Sequence, residues 1–389
     1  MKYKVEEVFK PGSYPNLTYV SRNSTVTGLT YEDRLKTALK ISGFLTYIVG
    51  TSKMGKTILC QRVVSEGLVR LTGDDFSLDE DIWTTIASHA DMSVEASIST
   101  SDNEHLTTSN TYKLNKEGVI SYFKNNNKTL LIDDFHYAPD PIRAKIAKQL
   151  KDAIGKELRV IVTSLPHYGD ELTRKNRDLS GWLSLIAIEP WAINDLKAIA
   201  SSGFDQLGIK YDDEILDYIA SESLSSPQLI QSICLNAADT FEENNEGGSL
   251  TREICELAFR KANANFDYHS VVNLLRNGPG VRGTKRTKYL TKSDTAKDLY
   301  ELILDAMAKD PPITSVTINE LRDRILALLA PAQKSKPAKQ TITSSLNQML
   351  KLMSDKEEDI FKVFEIRDDC IYITDPQFIF YLRWGENRG

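Results

Sequence analysis

The strongest constraint in this chain is an apolar and β-branched run, residues 44–49, that stops at Gly50-Thr51-Ser52-Lys53-Met54-Gly55-Lys56-Thr57. Residues 58–65 follow with helical character. Strand, glycine-bounded loop and helix in that order form a phosphate-binding loop. Gly50 and Gly55 let the backbone turn its N–H groups inward around an anion, and the next helix adds its positive N-terminal end. Lys56 is then placed to reach the β- and γ-phosphates of ATP, and the Thr57 hydroxyl to hold Mg²⁺. The nucleotide-contacting set is Gly50, Thr51, Ser52, Lys53, Met54, Gly55, Lys56, Thr57 and Ile58. The bland reading is a glycine turn between a strand and a helix.

A second landmark lies about 75 residues further on, where Leu130-Leu131-Ile132 runs into Asp133-Asp134. A buried strand ending in paired carboxylates reads as a Walker B element. Asp133 would hold Mg²⁺ through water, and Asp134 would orient or deprotonate the attacking water. Two acidic residues at a strand end are otherwise unremarkable.

At 389 residues the chain exceeds one ordinary domain, and 41% hydrophobic with 26% charged residues describes a globular protein. No apolar run reaches membrane-spanning length and the first residues lack a signal-peptide core, so the expected compartment is the cytoplasm, with no membrane partner. Cys60, Cys234, Cys255 and Cys370 lie far apart, without metal-ligand spacing, and read as buried thiols. With a net charge of -6, any DNA contact has to come from a local basic patch.

Residues 1–30 hold a Pro-, Gly- and aromatic-rich loop over 9–22 and are expected to pack near a nucleotide base through residues 19–22, whose aromatics could equally be core or a partner surface. Residues 31–190 read as an α/β core with a parallel sheet. Within them, helices are expected over 31–42 and over 77–90, the latter capped by Ser77 or Asp79, with a polar loop over 91–115. A helix over 141–154 precedes the strand Arg159-Val160-Ile161-Val162-Thr163-Ser164, and residues 183–188 form a further strand. Between these strands Arg174 and Arg177 either project into a neighbouring subunit's site as arginine fingers or form a solvated basic face.

From Trp191 onward the pattern is helical only, and residues 191–275 read as a small all-α lid. Residues 276–293 are a basic linker of turn residues, with charge that could also meet a phosphate backbone. Residues 294–389 read as a winged-helix domain, with helices over 296–308, 318–329 and 340–353, then a hairpin of 360–366 with 370–374 and an aromatic helical tail. Thr343, Asn347 and Lys351 lie on the free face of the third helix, a position compatible with DNA or with a protein partner.

Loop, carboxylate strand, hydroxyl-ended strand, helical lid and winged helix stand here in one order. Together they resemble the AAA+-related STAND and archaeal-type P-loop ATPases, cousins of the origin-recognition initiators. The resemblance implies a P-loop NTPase core, an ATP-dependent switch, and a nucleotide state that controls association as a homo-oligomer or with a separate effector protein. It also implies a polar sensor on the strand of residues 159–164, for which Thr163 is the first choice and Ser164 the second; a helix cap is the plain alternative. Many such proteins act in bacterial signalling or anti-phage defence.

The chain departs from that pattern in having aspartate at 134 where glutamate is usual, no arginine on the third lid helix, and no effector or repeat module. The function expected is therefore that of a slowly hydrolysing Mg-ATP switch. The rival functions are a DNA-associated ATPase of initiator or transposition-helper type and a nucleotide-binding scaffold without turnover.

Overall fold

The computed structural model describes residues 3–92, 112–165, 181–244, 248–280, 286–356 and 362–385. Their contacts divide the chain into two compact units. One holds residues 21–51 and 55–189, the other 1–20, 52–54 and 190–389.

The first unit is built on a five-stranded parallel sheet. Its strands are β1 (Leu45–Val49), β2 (Leu68–Thr72), β3 (Thr129–Asp133), β4 (Val160–Ser164) and β5 (Leu183–Ala187), arranged β2-β3-β4-β1-β5. Strands β1, β3 and β4 are buried at every position, as near-continuous apolar runs in a sheet covered on both faces must be. Side-chain alternation sorts their residues between two cores. Leu45, Tyr47, Leu130, Ile132, Val160 and Val162 pack with Trp83, Ile86, Phe123, Ile146 and Leu150. Ile48, Leu131 and Ile161 pack on the other face with Tyr31, Leu35, Leu59 and Cys60.

The helix before β1 runs Tyr31–Lys40, with Thr30 as its cap. The helix expected from residue 77 starts later, at Ile82, and the cap is Asp81 rather than Ser77 or Asp79. One Asp81 carboxylate oxygen accepts from the amides of Trp83 at 3.1 Å and Thr84 at 3.3 Å. Asp81 stands directly before the apolar stripe Ile82-Trp83-Ile86, so the first buried turn can begin only there. Helix Lys116–Asn125 was not legible in sequence; Asn115 caps it by accepting from the Gly118 amide.

The second unit contains helices Ile193–Leu207, Asp213–Glu222, Pro227–Asn244, Arg252–Ala264 and His269–Asn277, followed by Leu299–Ala308, Ile318–Leu328, Lys339–Ser354 and Pro376–Trp384. The last four accompany an antiparallel sheet in which Cys370–Ile373 lies between Ser315–Thr317 and Phe364–Arg367. The hairpin turns on Asp368 and Asp369, both at positive φ (46° and 61°), as a two-residue turn matched to strand twist demands. Its first strand is shorter than expected, beginning at Phe364; residues 357–361 lie outside the described residues.

The helix expected over 296–308 begins instead at Leu299, because Asp298 caps it while Ala296–Lys297 pair with Tyr289–Leu290. Within the basic stretch 276–292, Arg286 is held by Asp298 Oδ2 at 3.1 Å and by the Asn277 carbonyl at 2.6 Å, and lies 4.6 Å from the centroid of the Tyr300 ring.

A single apolar core runs through this unit from Val8 and Phe9 to Phe259, Ile303, Leu346 and Phe380. Buried inside the unit, Arg383 is 2% exposed and donates to both carboxylate oxygens of Glu222, at 2.9 and 2.5 Å, and to the Ala308 carbonyl at 2.7 Å. Trp384 adds an indole N–H to the same carboxylate. A buried pair is expensive to half-remove, because the partner charge is left in a dry site. Arg383→Ala is therefore expected to lower unfolding free energy by about 3–5 kcal/mol in urea titrations, with Glu222→Leu/Arg383→Leu losing less. Equal losses would show that the apolar stem of Arg383, not the ion pair, matters.

Candidate functional site

In a parallel sheet the strand ends point one way, and the carboxyl-end edge is where loops can gather around a ligand. Here β1 ends at Val49, opposite Ser164 of β4, and β2 places Thr72 opposite Asp133 of β3. Helix Lys56–Val63 starts at Gly55, whose φ of 88° is the left-handed conformation that glycine adopts without strain. At Gly50 a Cβ would come within 3.1 Å of Ile188 Cβ.

Lys56 is buried, and its ammonium donates to the carbonyls of Gly50 and Thr51, each at 3.0 Å. Burial pushes its pKa down, against the opposing pull of Asp134 and Asp133. Asp134 Oδ1 stands 4.0 Å from that ammonium. Burial raises the Asp134 carboxyl above its usual range, and Lys56 counteracts it. The Asp134 backbone is left-handed (φ 46°, ψ 49°), a conformation aspartate tolerates better than most residues.

Asp133 is fully buried. Its Oδ2 accepts from the Thr57 hydroxyl at 2.6 Å, and its Oδ1 from the Thr163 hydroxyl at 2.5 Å. The same Thr163 oxygen accepts the Asp134 amide at 2.9 Å, so one hydroxyl ties both acidic residues to β4. Ser164 Oγ and Thr51 Oγ1 are buried with no hydrogen-bond partner among the described residues.

Of the remaining loop residues, Met54 is buried and its carbonyl accepts from the Trp191 indole at 3.1 Å. Lys53, at φ 62°, donates to Asp375 Oδ1 at 2.7 Å, Gln377 Oε1 at 2.6 Å and the Tyr268 hydroxyl at 3.2 Å. Ser52 and Ile58 are half-buried. Arg174 and Arg177 lie outside the described residues.

The donor set fits a magnesium nucleotide. Among the described residues, Thr57 and Asp133 converge as a hydroxyl–carboxylate pair, the buried Lys56 ammonium is satisfied only by loop carbonyls and a distant carboxylate, and two buried hydroxyls at the same edge lack partners. Thr57 and Asp133 would hold the metal, and Lys56 with the loop amides would hold phosphate.

Three contributors were not found in the sequence. Arg70, in the middle of β2, directs Nε and Nη2 to Asp133 Oδ2 at 3.0 and 2.9 Å. The available signal was a cation interrupting Leu68-Val69-Arg70-Leu71, but only strand order reveals that β2 lies beside the carboxylate strand. Gly73 permits a close approach, since a Cβ there would lie 2.7 Å from the Asp134 carbonyl oxygen and the Ala138 nitrogen.

The third contributor is His136, two residues beyond Asp134. Burial, then the positive charges of Lys56 and Arg143, push its imidazole down to about 4. It is neutral at pH 7. Since the unfolded chain protonates this residue near its ordinary value and the folded chain resists, stability is expected to fall as pH drops from about 6.5 toward 4, by at most about 3 kcal/mol. His136→Asn should flatten that slope in urea titrations at pH 7 and pH 5. An unaltered slope would assign it to other groups.

Among solved structures the chain is similar to a Walker-type ATPase of Pyrococcus abyssi, with TM-score 0.52 and 12% identity over 90% of this chain and 94% of that one. It is also similar to Cdc6p of Pyrobaculum aerophilum (TM-score 0.46, 13% identity, 97% of each chain) and to the ORC2 protein of Aeropyrum pernix (TM-score 0.47, 12% identity, 96% and 97%). No family model and no curated protein matches the sequence. The sheet and the first of these likenesses together give the chain the α/β fold of a P-loop nucleoside triphosphatase.

Proposed function

We propose that this protein is a slowly hydrolysing Mg-ATP switch whose nucleotide state controls its association with itself or with a separate partner protein. The observation that carries the proposal is the convergence of Lys56, Thr57, Asp133 and Asp134 at the carboxyl edge of the parallel sheet, with Thr57 Oγ1 and Asp133 Oδ2 2.6 Å apart. Lys56 exchanges its two carbonyl partners for phosphate oxygens, a charge-assisted gain. Bound Mg²⁺ supplies neutralisation of charge between the β- and γ-phosphates.

Asp134 orients the attacking water and accepts its proton, and Thr163 fixes that residue by holding its amide. Having one methylene fewer than glutamate, aspartate reaches less far toward the water, which supports slow turnover. Arg174 and Arg177 would serve as fingers toward a neighbouring subunit. The resemblance to STAND and archaeal-type ATPases supports the switch reading and allows a role in signalling or defence.

A second reading is a DNA-associated ATPase of initiator type. It draws support from one surface. Helix Lys339–Ser354 lines an open groove with Lys339, Thr343, Asn347 and Lys351, and Asp369 sits at its edge, 2.7 Å from Lys339. In this reading residues 294–389 act as a winged helix and this helix as its reader.

Lys56→Ala is expected to weaken binding of a fluorescent ATP analogue about 100-fold or more, or about 3 kcal/mol. Normal affinity in that variant would overturn the loop assignment. Asp134→Asn is expected to bind normally and to lose phosphate release about 100-fold. Light scattering after size exclusion, on Asp134→Asn with no nucleotide, ADP-Mg or ATP-Mg, then separates the readings. Assembly with ATP-Mg alone supports the switch, and assembly only with a DNA duplex, steeply salt-dependent, supports the second reading.

A further inference from the structure

We propose that Arg70 is a built-in counter-ion at the metal position, which lets the site accept nucleotide without magnesium. The inference rests on the nucleotide-site reading above. Asp133 Oδ2 is the oxygen that faces Thr57, and it accepts from the Thr57 hydroxyl and from Nε of Arg70, whose Nη2 pairs with it at 2.9 Å. Its other oxygen is taken by Thr163. A fully buried carboxylate therefore meets the ligand position already neutralised by a cation of the chain itself.

The charge balance follows. A bare carboxylate at the place where phosphate oxygens arrive repels a metal-free nucleotide, and the cost is large in a site screened from water. Arg70 removes that repulsion. It stands on the strand beside β3, at the register position opposite Leu131, two residues before the Thr72–Asp133 pair, so its side chain lies on the same sheet face as Asp133. About half of the Arg70 side chain is exposed, whereas that of Asp133 is 0% exposed. The guanidinium can thus yield when a divalent ion takes up Thr57 and Asp133, while the carboxylate stays where it is.

Arg70 is in these terms a positioning and charge-compensating residue. It sets how far nucleotide affinity depends on the metal. Without it, affinity depends more steeply on the metal.

The test is titration of a fluorescent N-methylanthraniloyl ATP into the full chain, once in EDTA and once in saturating Mg²⁺. In the wild-type protein the two dissociation constants should lie within about tenfold of each other. Arg70→Met should raise the ratio of the EDTA to the Mg²⁺ constant by a further tenfold or more, the EDTA constant weakening more than the Mg²⁺ one. A circular dichroism spectrum matching the wild type demonstrates that the variant is folded. Arg70→Lys, which keeps the charge, should recover part of the ratio.

An unchanged ratio in Arg70→Met overturns the proposal, whether both constants stay put or both weaken together. A wild-type protein that binds in neither buffer overturns the nucleotide-site reading itself, a result distinct from the failure of Arg70.

Discussion

The buried Asp133 carboxylate is the interaction on which the site's geometry depends. A lone carboxylate removed from water costs several kcal/mol unless its oxygens are met by donors. Here the donors arrive from three directions: Thr57 on the first turn of the loop helix, Arg70 on β2 and Thr163 on β4. Each belongs to an element that must be in register for the contact to exist. The cost of burying one charge is thereby offset only when the strand ends and the loop helix are all correctly placed. An edge made this way is set in position by the fold itself.

Much of this was legible because it is local. The loop residues 50–57 and the strand of residues 130–134 carry their chemistry in consecutive positions, and β1, β3 and β4 announce themselves as apolar runs with sharp ends. Thr163 stood out for the same reason, as a hydroxyl at the end of such a run, although the structure spends it on Asp133 and Asp134. What stayed hidden is pairwise. Arg70 acquires meaning from the parallel pairing of β2 with β3, and Gly73 from the approach of the Asp134 turn, neither of which has a sequence period. The cap at Asp81 was missed because Ser77, Asp79 and Asp81 are all competent caps, and only burial of Ile82 and Trp83 chooses among them.

The second unit teaches a related lesson. Its basic stretch has the composition of a solvated connection, yet Arg286 is drawn in by Asp298, by two backbone carbonyls and by the Tyr300 ring. A guanidinium has five donors and a flat face, so a few acceptors and one aromatic can order a segment whose composition argues for none. The common core from Phe9 to Phe380 and the buried Arg383–Glu222 pair bind the helices on either side of that stretch into one body. Within that body any rearrangement would have to act on the whole unit rather than on one helix at a time.

Burial of the cysteines has a practical outcome. Cys60 projects from the loop helix into the sheet-face core, and Cys234 and Cys255 lie in the core of the helical unit, each thiol pushed up by burial, that of Cys255 to about 12. Cys370, on the central strand of the small sheet, is partly accessible. A thiol-reactive dye added to the folded wild-type protein would therefore report from that one strand, a natural spectroscopic handle in the hairpin that leaves the carboxyl edge of the parallel sheet unmarked.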